Sequence, residues 1–373
     1  MTNPEDDVRT VVGTMTGTSI DGIDAAMARI IGRGLGLRAE LVKHTSGSLG
    51  PLAPQLRNAA MQQPMTTGDL ATMAWEFGRI HADVIASMLE PGEKIDLIAI
   101  HGQTVFHDPP ISWQLLNPAP IAHQFGCPVV SSLRQADLAA GGQGAPLTPL
   151  ADWVLFRDAH RSRAILNLGG FCNVSILPPS NNTHDTGGIQ GYDICACNQV
   201  LNAVARVALD QPYDEDGQAA MAGTIHEELC TSLYETLARQ REPGLSLGTG
   251  DETVDWVVTH AKDVAPNDLA ATATMAVALC IGHEVNRARV DEVIVAGGSA
   301  RNKALMTALQ KSLDAPVRLS DELGVPVSIR EAFCMTVLGA LCADGVPITL
   351  PQVTGCDTPP PVAGMWSMPF GWL

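Results

Sequence analysis

Residues 13–24, with the sequence GTMTGTSIDGID, combine glycines, hydroxyl side chains and carboxylates between two apolar runs. The runs at 11–15 and 23–31 predict two strands joined by a tight turn. Backbone at a glycine can approach a ligand closely, and the N–H groups of such a turn can hold phosphate oxygens. An aspartate beside phosphates suggests Mg²⁺, which proteins hold through one or two carboxylates plus phosphate oxygens. The segment therefore predicts a phosphate-binding hairpin, and an ordinary tight hairpin is the competing interpretation.

Two further glycine pairs follow predicted strands. Gly169 and Gly170 separate the apolar run 164–168 from a second run that starts at Val174, which repeats the strand–glycine turn–strand layout of the first segment. Gly297 and Gly298 lie between a predicted strand and a predicted helix, where a helix N-terminus offers unpaired N–H groups. This last segment lacks the spacing of a dinucleotide fingerprint or a Walker loop, and a plain strand–turn–helix junction also fits it.

Composition and charge narrow the class of protein. The chain has 373 residues, 46% of them hydrophobic, and a formal net charge of −17. This length fits two domains. Nucleic acid and anionic membranes need clustered Lys and Arg, so we expect neither as a partner. The acidic N-terminus lacks a signal-peptide pattern, and the Ala-rich run 270–281 is too short to span a bilayer. Nine cysteines without a repeating spacing indicate free thiols in a reducing compartment, the cytoplasm.

Strand-length apolar runs alternate with helix-length amphipathic runs, which predicts an α/β fold. The first three strands, at 11–15, 23–31 and 37–42, have short connections and predict an antiparallel meander. Further strands are predicted at 96–101, 128–130, 164–168, 174–177, 292–296 and 316–319. Helices are predicted at 67–89, 198–209, 224–239, 269–285, 303–312 and 329–341.

Three glycine turns in this order resemble the layout of the actin-like, hexokinase-like ATPase superfamily. A more specific resemblance, to the anhydro-N-acetylmuramic acid kinase family, covers almost the whole chain. The matching blocks, in family order, are 13–24 (GTMTGTSIDGID), 101–105 (HGQTV), 135–149 (QADLAAGGQGAPLTP), 167–173 (NLGGFCN), 211–217 (QPYDEDG), 295–302 (VAGGSARN), 321–331 (DELGVPVSIRE) and 353–355 (VTG). HGQTV and AAGGQGAPL are the most distinctive of these blocks.

The resemblance implies a two-lobed actin-like ATPase (ribonuclease H-like) α/β fold with an active-site cleft between the lobes. We expect an N-terminal lobe at 1–135 and a C-terminal lobe at 136–373, with the C-terminal segment packing back on the first lobe. It also implies a bacterial, cytoplasmic, homodimeric enzyme that uses ATP and Mg²⁺. Such an enzyme opens the 1,6-anhydro ring of 1,6-anhydro-N-acetylmuramic acid with water and phosphorylates O6, a step in peptidoglycan recycling.

The catalytic base implied by the resemblance is Asp193, in Gly191-Tyr192-Asp193-Ile194-Cys195-Ala196-Cys197-Asn198. The family has Thr-Gly-Pro-Gly where this chain has Ile-Cys-Ala-Cys. Side chains in place of the glycines are expected to narrow the space in which the backbone meets the ligand. Asp185, in His184-Asp185-Thr186-Gly187-Gly188, is the rival candidate. It lies in the polar stretch 178–190, which predicts an inserted surface loop, so we favour Asp193.

Glu331 is the second catalytic carboxylate that the resemblance implies, and a plain first-turn helix residue is the alternative interpretation. The remaining site residues fall into two predicted groups. The ATP-binding group comprises Gly13, Thr14, Gly17, Thr18, Ser19, Asp21, Gly22, Asp24, Asn167, Gly169, Gly170, Gly297, Gly298 and Asn302. The substrate-binding group comprises His101, Gln103, Arg134 and Asp137. A core role for His101 and a structural Arg134–Asp137 ion pair stay open, and Asp21 is expected to reach Mg²⁺ through water.

Two alternative functions remain compatible with the sequence. One is a kinase for a different 1,6-anhydrosugar, because several positions near the base depart from the family pattern. The other is a catalytically weakened nucleotide-binding homologue. The presence of both Asp193 and Glu331 favours an active kinase over the second alternative.

Overall fold

The computed structural model describes residues 7–17, 20–240 and 251–369, with only the backbone of 251 and 252. The described residues form two compact units. Unit 1 holds the residues up to Arg157, the segment Ser180–Gln190 and the residues from Ile329 onward, and unit 2 holds Asp158–Pro179 and Gly191–Ser328. Residues 136–157, which we predicted in the second domain, belong to unit 1 because their helices pack against its strands and against its last long helix.

The strands alternate along the chain with helices, as the apolar pattern predicts. In chain order they are β1 (Val8–Met15), β2 (Gly22–Ile31), β3 (Arg38–Ser48), β4 (Leu97–Ile100), β5 (Gln103–Asp108), β6 (Ile111–Leu115), β7 (Val129–Ser131), β8 (Arg163–Leu168), β9 (Phe171–Leu177), β10 (Gln190–Ala196), β11 (Glu292–Ala296), β12 (Val317–Leu319) and β13 (Met365–Ser367).

The α-helices include all six that the sequence predicts, with ends that differ by a few residues. In chain order they are α1 (Leu52–Ala60), α2 (Thr67–Met88), α3 (Ala119–Phe125), α4 (Gln135–Ala139), α5 (Pro149–Phe156), α6 (Asn198–Ala208), α7 (Gln218–Ala222), α8 (Glu227–Arg239), α9 (Asp251–His260), α10 (Pro266–Ala288), α11 (Lys303–Ser312), α12 (Arg330–Ala343) and α13 (Pro351–Thr354).

The sheet of unit 1 has the strand order β13-β7-β4-β1-β2-β3. β1 pairs antiparallel with β2 from Val8↔Ile31 to Met15↔Asp24, so the glycine turn closes a long hairpin as predicted. β4 runs parallel to β1, and β7 runs parallel to β4. The C-terminal strand β13 pairs antiparallel with β7, so the end of the described chain completes the first unit. The meander β1–β3 and the parallel strands β4 and β7 give the ribonuclease H-like order 3-2-1-4-5.

The sheet of unit 2 has the order β10-β9-β8-β11-β12, which repeats the order of unit 1 from the meander outward. β8 and β9 form an antiparallel hairpin, and β11 and β12 extend the sheet in parallel with β8. The predicted restart of the fold at 164–168 is therefore confirmed, as is the α/β class. The same path of the chain builds two sheets, each with a glycine turn after its first strand.

The helix α10 is the central buried helix of unit 2. Among the described residues it is the one helix long and apolar enough to cross a membrane, and 78% of its most apolar stretch is buried inside the protein. Its burial among the apolar residues of unit 2 explains its composition without a membrane. All nine cysteines are buried thiols, with no disulfide among the described residues.

Candidate active site

The glycine hairpin of unit 1 is shaped by its contact with α12. A Cβ added at Gly13 would collide with the carbonyl oxygen of Ala332 and lie 2.5 Å from the amide nitrogen of Thr336. Gly13 is buried, and it lets the helix that carries Glu331 pack directly on β1. The absence of a side chain at Gly13 therefore allows β1 and α12 to pack together. This packing role is independent of any contact between its backbone and a nucleotide.

Two threonines of this hairpin differ in how their hydroxyls are used. Thr14 is completely buried, and its Oγ1 lies 3.0 Å from Nδ1 of His81. Burial lowers the pKa of His81 to about 3, so the ring is neutral and the pair is an uncharged hydrogen bond. Thr16 is 4% exposed, and its Oγ1 has no partner among the described residues. A buried hydroxyl without a partner costs free energy, so Thr16 is a candidate donor to a bound phosphate.

The carboxylates of the turn are placed differently from one another. Asp21 is exposed at the tip of the hairpin. Asp24, on β2, accepts a 2.6 Å hydrogen bond from Ser46 Oγ on β3. Gly22 opens β2 opposite Ser48. An exposed carboxylate at a glycine turn suits Mg²⁺ held mainly by phosphate oxygens, so Asp21 fits the predicted metal site.

Gly17 accepts a hydrogen bond from the amide of Ile20 at 3.1 Å, which closes part of the turn. Thr18 and Ser19, the other two residues predicted to bind ATP here, lie outside the described residues.

The structure brings His101 and Arg134 together in unit 1. His101 is buried, and burial, aided by the nearby charge of Arg134, lowers its pKa to about 3, so the ring is neutral. Its Nδ1 lies 2.8 Å from the carbonyl oxygen of Gly102 and must therefore carry the proton, which leaves Nε2 to accept from Arg134 Nε at 3.0 Å. Arg134 Nη1 donates to the Gly144 carbonyl at 3.2 Å. His101 thus orients the arginine, and its predicted core role and its predicted site role are compatible.

Asp137 organises the glycine-rich loop of the same unit. Its side chain is completely buried; Oδ2 accepts from the Gly144 amide and Oδ1 from Thr354 Oγ1, both at 2.7 Å. A Cβ added at Gly142 would overlap this carboxylate. The contacts of Asp137 make it a positioning residue for the loop, and its place near the sugar stays a prediction.

Glu331 lies in the first turn of α12 and is partly buried. The preceding residue, Arg330, is 1% exposed and forms a two-pronged ion pair with Asp152 of α5, with Nε 2.9 Å from Oδ1 and Nη2 bonded to Oδ2. Burial opposes the charge on Arg330, but the facing Asp152 carboxylate, together with Cys334 and Glu331, outweighs burial and raises the arginine pKa above its usual value. The pair fixes the start of the helix that presents Glu331.

In unit 2, Asp193 is exposed on β10, the edge strand next to β9. The next two side chains, Ile194 and Cys195, are completely buried in the apolar core of the unit. Cys195 and Cys197, which stand where the family has glycine, are both completely buried in that core. The rival Asp185 belongs to unit 1, where its Oδ2 accepts from Ser180 Oγ at 3.2 Å on the surface.

The second glycine turn is tied to the start of α6. The carbonyl of Gly169 accepts from the Asn198 amide at 3.0 Å, and the carbonyl of Gly170 accepts from the Cys197 amide at 2.9 Å. Asn167, at the end of β8, is 3% exposed, and its Oδ1 has no partner among the described residues. Like Thr16, it is a buried polar atom that a ligand can satisfy.

The late glycine pair has one constrained and one open member. Gly297 has φ +93°, and a Cβ there would lie 2.7 Å from the backbone N and O of Leu168. Gly298 has no atom within 4 Å of such a Cβ. Asn302 caps α11 by accepting from the Leu305 amide at 2.9 Å. The backbone of Gly297 thus lies directly against that of Leu168, at the end of β8, whereas Gly298 faces open space. Asn302 has a helix-capping role in addition to its predicted contact with ATP.

We expect Gly13→Ala to destabilise the protein by about 3 kcal/mol, because the added methyl must push α12 away from β1. Urea denaturation measures this change in the free energy of unfolding. Gly298→Ala is the matched control, since its methyl enters open space and should change stability by less than about 1 kcal/mol. Equal stability of the two variants would contradict this account of Gly13.

Two α/β units that share one strand order, each with a glycine turn after its first strand, define the actin-like class of α/β fold. A sequence profile of the anhydro-N-acetylmuramic acid kinase family matches residues 9–365. The chain therefore belongs to the anhydro-N-acetylmuramic acid kinase family, and it is an enzyme of the kinase class.

Relatives support this assignment over nearly the full length. An anhydro-N-acetylmuramic acid kinase of Salinibacter ruber is 33% identical, and the match covers 96% of each chain. One from a Picosynechococcus species is 34% identical over 94% of this chain and 97% of the relative. Among solved structures, a ROK family glucokinase from Streptomyces griseus in complex with glucose and AMPPNP aligns with a TM-score of 0.41 and 14% identity, over 88% of this chain and 99% of the other.

Proposed function

We propose that this protein uses ATP to convert 1,6-anhydro-N-acetylmuramic acid into N-acetylmuramic acid 6-phosphate, and that it does so in the bacterial cytoplasm. The observation that carries the proposal is the match of residues 9–365 to a family whose relatives bear this activity in their names. The exposed carboxylate of Asp193 and the first-turn carboxylate of Glu331 supply the acidic groups that the chemistry needs.

The reaction has two coupled parts. Water attacks the anomeric carbon while Asp193 removes its proton, and the C1–O6 bond breaks with its electron pair going to O6. The freed O6 attacks the γ-phosphorus of ATP, and ADP leaves. Glu331 orients the water or the sugar. Mg²⁺ held near Asp21 would neutralise charge on the phosphate oxygens, which is the main demand of phosphoryl transfer.

The unsatisfied polar atoms of each unit support nucleotide binding. The buried hydroxyl of Thr16 in unit 1 and the buried amide oxygen of Asn167 in unit 2 have no partner among the described residues. Both lie at the ends of strands that lead into glycine turns. We assign Thr16 to the phosphates of ATP and Asn167 to a ligand donor or to a water of the metal.

The experiment is a single-turnover reaction with ATP, Mg²⁺ and the anhydrosugar in H₂¹⁸O, followed by mass spectrometry. We expect one ¹⁸O at the anomeric carbon and none in the phosphate ester, because O6 comes from the sugar. ADP formation without a sugar phosphate, or ATP binding without any turnover, would contradict the proposal. A higher kcat/KM for 1,6-anhydroglucose would instead support a kinase for a simpler anhydrosugar.

We also propose that the enzyme is a homodimer, as the family resemblance implies. Multi-angle light scattering should give about twice the 39.3 kDa mass of the chain. A monomeric mass at micromolar concentration would contradict this part of the proposal.

A further inference from the structure

The hairpin β5–β6 carries a buried glutamine that has so far no role in the site. Gln114, on β6, is 4% exposed and lies opposite Thr104 of β5. Its Nε2 donates to Ser112 Oγ at 2.8 Å and to Thr104 Oγ1 at 3.3 Å. Its Oε1 has no hydrogen-bond partner among the described residues. The hairpin thus holds the nitrogen end of the amide and leaves the oxygen end unsatisfied.

The hydrogen bonds of Ser112 fix which end of the amide is unsatisfied. A hydroxyl donates one hydrogen bond and accepts two. Ser112 Oγ donates to the carbonyl of Phe106 at 3.2 Å, so toward Gln114 it can only accept. His107 Nδ1, 2.9 Å away, donates to the second lone pair. A flipped amide would set two acceptors against each other, so the partnerless atom of Gln114 is its oxygen.

Gln114 lies beside the residues predicted to bind the sugar. The turn from β4 to β5 passes through Gly102 (φ +78°), and a Cβ added there would lie 3.2 Å from Gln114 Cβ. The adjacent His101 holds Arg134, which in turn bonds the carbonyl of Gly144 in the glycine-rich loop. Gln114 therefore lies next to Gly102, the chain neighbour of His101, and all of these residues belong to unit 1.

We propose that Gln114 is a sugar-binding residue whose Oε1 accepts a hydrogen bond from a hydroxyl or amide N–H of the anhydrosugar. Thr104 and Ser112 are positioning residues that aim this oxygen. An amide oxygen attracts neutral donors and repels carboxylate and phosphate oxygens, so the anionic groups of the ligands fall to other residues such as Arg134. A buried acceptor without a partner costs free energy, and a bound sugar would relieve that cost. This inference rests on the proposed kinase function.

The test is Gln114→Met, which keeps the size of the side chain and removes the acceptor. We expect the KM for the sugar to rise about tenfold, the loss of roughly one hydrogen bond, while the KM for ATP changes less than twofold. Gln62→Met is the matched control. Gln62 Nε2 anchors the same hairpin by donating to the Val105 carbonyl at 2.6 Å, so its loss loosens the hairpin but leaves Gln114 in place. An unchanged sugar KM in Gln114→Met, or an equal rise in Gln62→Met, would overturn the inference.

Ser112→Ala provides a second variant, because it removes the group that fixes the amide. We expect a smaller rise in the sugar KM in the same direction, and no such rise would count against the inference. Comparing 1,6-anhydro-N-acetylmuramic acid with 1,6-anhydroglucose identifies the donor. A penalty lost with anhydroglucose indicates the acetamido N–H, and a penalty that persists indicates either a hydroxyl or the C2 position, where anhydroglucose itself carries a hydroxyl.

The failure of the inference and the failure of the proposed function are distinguishable. A wild-type enzyme that phosphorylates the sugar while Gln114→Met has the same KM refutes only the role of Gln114. If the wild type binds the sugar without turnover, calorimetry on the two proteins still decides the inference, since equal affinities overturn it. A wild type that binds neither sugar overturns both.

Discussion

Asp193→Asn is expected to lower kcat by about three orders of magnitude, because a positioned general base contributes roughly 10²–10⁴-fold to such a step. The amide keeps the shape of the side chain but cannot take the proton of the attacking water. Asp193 is exposed on an edge strand, so the substitution leaves the core of unit 2 intact and the free energy of unfolding should change by less than about 0.5 kcal/mol. Steady-state kinetics and urea denaturation measure the two quantities.

Asp185→Asn is the matched control for this prediction. Both aspartates are exposed and both carry the sequence cues that made them candidates, but Asp185 bonds a surface serine in the segment Ser180–Gln190 of unit 1. We expect its kcat to stay within about twofold of wild type. A large loss of kcat in Asp185→Asn with little loss in Asp193→Asn would reverse the assignment of the base. ATP affinity, measured by calorimetry, should be the same in both variants.

The regular elements of the fold were accessible from the sequence because their burial follows the hydrophobic pattern. β11 and α11 were predicted with their observed ends. The strands β1 to β3, β8 and β9 were recognised as apolar runs between turns, whereas β10 was not predicted. The C-terminal strand β13 was missed because Met365 and Trp366 are exposed at a sheet edge and give no alternating signal. The two units share one strand order, but the sequence indicates this repeat only through its second strand–glycine turn–strand segment.

The hairpin β5–β6 was missed because its pattern is inverted. Ile111 and Trp113 are exposed, while Ser112 and Gln114 between them are buried. Prediction from the hydrophobic pattern places apolar side chains in the core. A strand whose polar residues face inward is therefore not recognised, and neither is the function of those residues. Polar burial of this kind is expected at sites rather than in ordinary sheets, because its cost must be offset by a ligand or a network.

The roles of individual site residues depend on contacts between distant segments. The sequence identified Asp137 as a site residue, but only the structure shows its carboxylate bonded to Thr354, 217 positions further along the chain. Gly13 was predicted from its turn chemistry, and its packing against α12 involves residues more than 300 positions away. Such pairings are set by tertiary packing, which local propensity does not encode.

The second large effect is expected from the buried pair of Arg330 and Asp152. Arg330→Met should destabilise the protein by about 3–5 kcal/mol, because it leaves the completely buried carboxylate of Asp152 without its counter-charge. The Sγ of Cys334 donates to Oδ1 of the same carboxylate at 3.8 Å, which is a weak hydrogen bond. Urea denaturation of the purified variant measures the loss.

The double variant Arg330→Met with Asp152→Leu removes both buried charges. It therefore separates the cost of leaving Asp152 without its arginine from the net contribution of the ion pair to stability. Replacing a buried pair by apolar residues of similar volume is often neutral or stabilising, so the double variant should recover most of the free energy of unfolding. Its kcat should nevertheless stay below wild type, because the start of α12, and with it Glu331, loses the two-pronged anchor to α5.

A double variant as unstable as Arg330→Met would show that the arginine acts through packing alone. A fully stable double variant with wild-type kcat would show that Glu331 does not depend on the pair. Recovery of stability without recovery of kcat is the result that links the buried charge to catalysis rather than to folding.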